Sequence, residues 1–125
     1  MAWPEVSVRP HRFAAREFRF RQAEVGHVHE WGDVDIPFPR ALRDALVEEG
    51  LTGEHRHVPA SGWTTFHVGT ASDLDDAVRL MRLSYLRYAL KSADDAEALL
   101  RSEAARLGLS TRVTALLEQF VPARV

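Results

Sequence analysis

The sequence predicts an α+β fold: an antiparallel sheet of about four to five strands packed against helices, with two extra C-terminal helices. Three observations carry that prediction. Apolar residues alternate with polar ones in "REFRFR" and "WTTFHV", the two-residue period of a half-buried strand. The back half instead repeats its apolar residues every three or four positions, the period of an amphipathic helix. The order strands, helix, strand, helices argues for an antiparallel sheet with segregated helices rather than a βαβ repeat.

Each element has a local reason. Residues 1–11, with Pro4 and Pro10, read as irregular. Arg12 to Arg21 is the first strand, with Phe18 and Phe20 on one side and Glu17, Arg19 and Arg21 on the other. Glu24 to Trp31 is the second. It pairs with the first as a hairpin and places Val25, His27, His29 and Trp31 on one side. "GDVDIPF" is a short third strand that Pro37 and Pro39 keep out of the middle of a sheet. Pro39 opens a helix that runs to about Glu49, and Gly50 supplies the left-handed residue past its end. After a loop, Trp63 to Val68 forms a strand with Trp63, Thr65 and His67 on one side. Ser72 and Asp75 have capping-box spacing for a helix over 73–91, whose stripe is Leu74, Ala77, Val78, Met81, Tyr85 and Tyr88. Ser92 and Ser110 are read as caps of the last two helices, with Gly108 between them and Pro122 as the stop.

The 125 residues suit a single domain, 1–125, with an α+β core over 8–90 and a helical extension over 92–122. Composition is 46% apolar and 27% charged with a formal net charge of −2, so no global basic field exists to attract nucleic acid or anionic membrane. Cysteine is absent, which excludes disulfides, thiolate nucleophiles and Cys-based metal sites. No apolar run reaches the ~18 residues of a membrane span, and the start lacks a secretory signal, so the expected location is cytoplasmic. There is no G-x-G-x-x-G and no Walker loop, hence no Rossmann-type or P-loop nucleotide site.

Chemistry concentrates in "GHVHEWGDVDIPF". His27 and His29, two apart on a strand, put both rings on one face. His55 and His57 repeat the spacing in "EHRHV". If these segments lie together, His27, His29 and His57 are metal ligands, and Asp35, Asp33 or Glu30 completes an N/O set for a divalent transition metal. The alternative is a solvated sheet face with no ligand. A second constellation joins the tryptophans: His27, His29, Trp31, His57, Trp63 and His67 would line a small-molecule site if the two strands are neighbours. The alternative there is a pair of core indoles. Arg12, Arg16, Arg19 and Arg21, interleaved with Phe13, Phe18 and Phe20, could contact a nucleic acid, but the alternation buries the phenylalanines and the net charge is acidic. Ser61 in "ASGWT" lacks a nucleophile elbow and suits a turn. Ser84, Tyr85 and Tyr88 sit in an apolar stripe and suit the core.

The residues Gly26, His27, His29, Asp35, Pro37, Phe38, Pro39, Arg43 and Asp44 resemble a pattern G-H-x-H, a short gap, then D-x-P-F-P opening a helix with R-D-x-L. His57, Val58, Pro59, Ser61, Gly62 and Trp63 then match H-V-x-P-x-S-G-W, and Ser84 and Tyr85 match a closing L-S-Y. Together, over about residues 8–90, they resemble the small proteins of the luciferase family, or luciferase domain. The loop "HVPASGW" is a residue shorter than that pattern, and "EWGDV" replaces a Gly-Asp-rich turn. The resemblance brings no catalytic residue set, and no flavin or luciferin motif is present. A Trp-led strand followed by a helix ending in Ser-Tyr is also similar to MmcQ/YjbR-type double-wing domains, some of which are thought to bind DNA; this supports the fold more than a function. The expected function is therefore a ligand-binding or accessory domain with a His/Trp-lined sheet face. The alternatives are a metal-dependent enzyme on the HxH strand and, third, a nucleic-acid binder through the arginine strand. An exposed arginine edge would also allow a homodimer.

Overall fold

The computed structural model describes residues 3–10, 16–55, 58 and 61–123. Its strands are β1 (Val6–Pro10), β2 (Arg16–Phe20), β3 (Ala23–Val28), β4 (Asp33–Pro37), β5 (Gly53–Glu54) and β6 (Trp63–His67). Helix α1 (Arg40–Glu48) lies between β4 and β5, and α2 (Ala71–Ser92), α3 (Ala96–Leu107) and α4 (Thr111–Glu118) follow β6. The strands form one antiparallel sheet in the order β1-β2-β3-β4-β6-β5. The class is α+β as expected, with six strands rather than four or five. The additions are β5, two residues in the stretch read as a loop, and β1, in the stretch read as irregular: Val6 and Val8 alternate with Ser7 and Arg9 and pair with Phe20 and Phe18 of β2. The first strand expected from Arg12 begins at Arg16, residues 11–15 lying outside the described ones.

Alternation on β4 sorts the chemistry. Val34 and Ile36 face the helices and are buried with Phe20, Val25, Met81 and Leu86 in one core. Asp33 and Asp35 therefore face the other side of the sheet. Register aligns Glu17, His27, Asp35, Thr65 and Gly53 as one row across β2, β3, β4, β6 and β5.

Strict alternation fails in β3. Phe18 pairs with Gly26 but Arg19 pairs with Glu24, so Val25 is an extra residue, a β-bulge. Val25 is consequently in the core, not on the histidine face as the alternation predicted. Gly26 also faces the helices, and a Cβ there would lie 2.7 Å from the Met81 sulfur. Ser84, fully buried on α2, donates from its hydroxyl to the Val25 carbonyl at 2.7 Å and to the Pro37 carbonyl at 3.2 Å, pinning the bulge and the end of β4 to the helix.

The helix caps differ from the expected ones by a few residues. Thr70, not Ser72, caps α2: its hydroxyl accepts from the Asp73 amide, and the Asp73 carboxylate accepts from the Gly69 and Thr70 amides at 3.0 Å each. Asp95, not Ser92, caps α3. Ser110 caps α4 and Gly108 has the left-handed φ of 64° expected of it. Pro39 is the residue before α1 rather than its first. A buried Arg82–Glu103 ion pair joins α2 to α3, with the guanidinium over Trp3 and Tyr85. No helix among the described residues is long and apolar enough to cross a membrane.

The strand leading from the loop into β6 is set by a close backbone contact. A Cβ on Gly62 would lie 2.1 Å from the Phe38 carbonyl oxygen, and the Phe38 amide donates to the Gly62 carbonyl at 2.9 Å. Gly62→Ala must push these segments apart. It is expected to cost about 1–3 kcal/mol, read as a lower urea midpoint at unchanged slope; an unaltered midpoint would show that the contact does not constrain the fold.

Candidate metal centre

The site is built on Asp35. β4 lies between β3 and β6, not outside the middle of the sheet as its prolines predict, because Pro37 is only its last residue; this central position buries the Asp35 carboxylate on the open face, where it needs partners. Four side chains supply them. Thr65, its cross-strand neighbour, donates from its hydroxyl to Oδ1 at 2.7 Å. Three imidazoles approach the other oxygen, Oδ2: His27 Nε2 at 3.1 Å, His29 Nε2 at 2.8 Å and His55 Nε2 at 3.4 Å.

Each imidazole arrives by a different local device. His27 is the β3 residue directly opposite Asp35. The Val25 bulge brings Glu24 onto the same face three residues away, and the His27 Nδ1–H donates to its carboxylate at 2.9 Å. His29 stands just past β3, in a tight hairpin turn: the Gly32 amide donates to the His29 carbonyl and the His29 amide to the Asp33 carbonyl. Gly32 has φ of 95°, the left-handed residue this turn requires, and a Cβ there would also lie 2.8 Å from the Val68 carbonyl. His55 follows β5, and its Nδ1 accepts from the Val58 amide at 3.3 Å. That bond fixes the proton on Nε2, so His55 presents an N–H donor to the centre. His29 differs. Its Nε2–H donates to Asp35, while its Nδ1 is buried with no hydrogen-bond partner among the described residues.

Two indoles wall the cluster. Trp31 stacks on His29 with centroids 4.3 Å apart and planes 17° from parallel, and it keeps its outer face in solvent. Trp63 lies 5.4 Å from the His27 ring and 6.2 Å from the His55 ring. Ligand atoms of His27, His29 and Asp35 all lie within 4.8 Å of one another, a group that could hold a metal ion.

The residues singled out from sequence are distributed as follows. His27, His29, Asp35, Trp31 and Trp63 come together. His57 lies outside the described residues. His55, read from sequence as the lesser candidate, is the third imidazole; its identical spacing in "EHRHV" was the available signal. His67 shares the face but stands apart, its side chain 63% exposed and its Nδ1 2.9 Å from Asp33 Oδ1. Asp33 also accepts from the Trp31 indole N–H at 2.8 Å, so it supports the wall and is not in the cluster. Glu30 is exposed in the turn. Glu24 and Thr65, which orient ligands, were not singled out; only the bulge and the β4–β6 register bring them in. Ser61 makes a turn, accepting from the Trp63 amide and donating to the Val58 carbonyl. Of the four arginines considered for nucleic acid, Arg12 lies outside the described residues, Arg16 is exposed at the start of β2, Arg19 is held by Glu17 and the Gln22 carbonyl, and Arg21 forms a two-point pair with Glu5. Glu17 is buried, so this face is less open than alternation implied.

Electrostatics follows from the same contacts. Burial alone would lower the pKa of His27, but the hydrogen bonds and charges of Asp35 and Glu24 outweigh it and raise it to about 9. Burial would raise that of Asp35, but hydrogen bonds from His27, Thr65 and His29 and the charge of His55 hold it well below the ordinary carboxylate range. In metal-free protein His27 is then an imidazolium at neutral pH. A folded pKa above the unfolded value near 6.5 gives stability that is complete below pH 6.5 and lost as pH rises through about 9. The Asp35 contribution is present above pH 3.8 and lost on acidification. Thermal unfolding of chelator-treated protein should therefore show an alkaline decline through about pH 9 that His27→Gln flattens. An unchanged alkaline limb in the variant would assign it to other groups.

No curated protein and no solved structure matches the chain. A family does: the sequence pattern of the Luciferase domain matches residues 22–84, from the start of β3 through the middle of α2. That span is just over half of the 125 residues and holds His27, His29, Asp35, His55 and both indoles of the wall. The chain belongs to the Luciferase domain family.

Proposed function

We propose that this domain binds a divalent transition metal through His27 Nε2, His29 Nε2 and an Asp35 carboxylate oxygen, and that the metal holds a small oxygen-donor ligand between the two indoles. The observation that carries this reading is the convergence of two imidazoles and a carboxylate within 4.8 Å, on neighbouring strands and one turn. Two imidazoles and one carboxylate, with coordination positions left over, form the donor set of catalytic rather than closed structural sites, and suit iron, zinc or nickel better than calcium or magnesium.

The surroundings support it. Ligating histidines commonly give their second N–H to a carboxylate, the part Glu24 plays for His27. Thr65 fixes Asp35 through the oxygen that the histidines leave alone. The unpinned Nδ1 of His29 can take the ring proton when a metal takes Nε2. His55, held as an Nε2–H donor, is placed to hydrogen-bond a ligand or water on the metal, and the metal would lower the pKa of such a water. Trp31 and Trp63 offer the ligand apolar walls.

Tag-free protein, dialysed and assayed by elemental analysis, is expected to retain close to one equivalent of transition metal, with an absorption or thermal-shift response on loading the chelated form with Co²⁺ or Zn²⁺. His27→Ala and His29→Ala should abolish retention while circular dichroism stays native. Glu24→Gln should weaken it about 10–100-fold. Metal-free protein with no response to Zn²⁺, Co²⁺, Ni²⁺ or Fe²⁺ would end the reading and leave a hydrogen-bonded histidine cluster.

A further inference from the structure

Across the sheet from the histidines, α2 does not close fully on the strands. Its first three turns carry Leu74, Ala77, Val78 and Met81 toward the sheet, yet Leu74 is 54% and Val78 40% exposed. Between them and β1–β4 is a cavity of about 490 Å³. Its floor is buried core: Val25, Val34, Ala77 and Met81. Its mouth is Val8, 56% exposed, with Leu74 and Val78. Every lining residue is aliphatic, aromatic, methionine or glycine, and none is charged.

We propose that this cleft binds an uncharged, small apolar molecule, inserted between α2 and the sheet. Its volume falls in the ~300–1,000 Å³ range of small-molecule pockets. Protein interiors are close-packed, so an apolar gap this large forfeits dispersion contacts on every wall. Water makes good little of that loss, because it needs two or more polar partners and the walls are almost wholly apolar. An apolar ligand restores the contacts and meets no hydrogen-bonding group. The absence of charged lining selects against a buried carboxylate or ammonium on that ligand. Shape selects a small molecule over a protein: the exposed apolar rim is three side chains, far short of the ~800 Å² per partner of a stable interface. Part of the floor is Ala77, where a larger side chain would take up space in the cleft. This site lies on the opposite sheet face from the proposed metal centre and stands without it.

The test uses the full chain and the neutral fluorophore Nile red, with decanol as competitor. Saturable fluorescence enhancement, displaced by decanol, is expected. Ala77→Phe, which fills the floor, should weaken binding about tenfold or more with a melting temperature equal to or above wild type. Val78→Glu, at an exposed position where folding tolerates a charge, should weaken it as well and guards against misfolding of the first variant. His27→Ala should leave it unchanged. Absence of saturable binding, or affinity kept within about twofold in both cleft variants, would overturn the proposal. So would sedimentation showing a dimer that Val78→Glu dissociates, since the occupant would then be a second copy.

Discussion

One oxygen atom, Asp35 Oδ2, organises the open face of the sheet. A carboxylate in a central strand is costly to bury, and it stays charged only if hydrogen-bond donors surround it. Here the donors come from β3, from the adjoining β3–β4 turn and, far along the sequence, from the segment after β5. Removing the carboxylate would leave three imidazoles facing one another with no acceptor. Conversely, a fully satisfied Asp35 ties β3, β4 and β6 together across the face that no core side chain covers. As an imidazolium, His27 donates from Nδ1 to Glu24 and from Nε2 to Asp35; in the metal-bound form proposed above, the ion would take the place of the Nε2 proton while Glu24 keeps its bond to Nδ1. The geometry that raises the His27 pKa is therefore the geometry that favours a cation.

Two backbone irregularities make this arrangement possible. Without the Val25 bulge, Glu24 and His27 would lie on opposite faces, because residues three apart on a regular strand always do. Without a left-handed residue at Gly32, the turn would not bring His29 back over Asp35 and stack Trp31 on it. Bulges recur where a strand must re-aim a side chain, and here one bulge turns Val25 into the core and Glu24 toward the histidine.

Much of this was legible in the sequence, and the gaps have physical causes. Alternation in "DVDIP" and "WTTFHV" puts Asp35 and Thr65 on one face, and the HxH spacing pairs His27 with His29. Periodicity is enough for the fold class, since strand-like and helix-like periods fall largely in separate halves. The strand β1 was hidden because "VSVRP" is short and ends in proline, and becomes a strand only by pairing with β2. Thr70 and Asp95 were passed over as caps because Ser72 and Ser92 offer similar chemistry two or three residues away, and packing decides between such neighbours. The bulge is invisible because nothing in "EVGHV" distinguishes an extra residue from regular alternation, and with it go the placements of Val25 and Glu24. The exposed Leu74 and Val78 could not be foreseen either, since periodicity says which residues share a stripe and not whether the sheet meets it.

The sheet thus separates two kinds of chemistry by the thickness of one backbone layer. On β4, Asp33 and Asp35 look one way and Val34 and Ile36 the other, so no side chain of that strand can serve both faces. The turn at 29–32 is the exception to this separation. Gly32 lines the apolar cleft, while His29 and Trp31, in the same turn, belong to the histidine cluster around Asp35. The turn is held on both sides: the Val68 amide donates to the Gly32 carbonyl, and Asp33 accepts from the Trp31 indole. A turn fixed this way cannot yield on one face without straining its bonds on the other. Lining of the cleft at Gly32 and positioning of His29 over Asp35 are for that reason one structural property, set by a glycine that has no side chain to give to either.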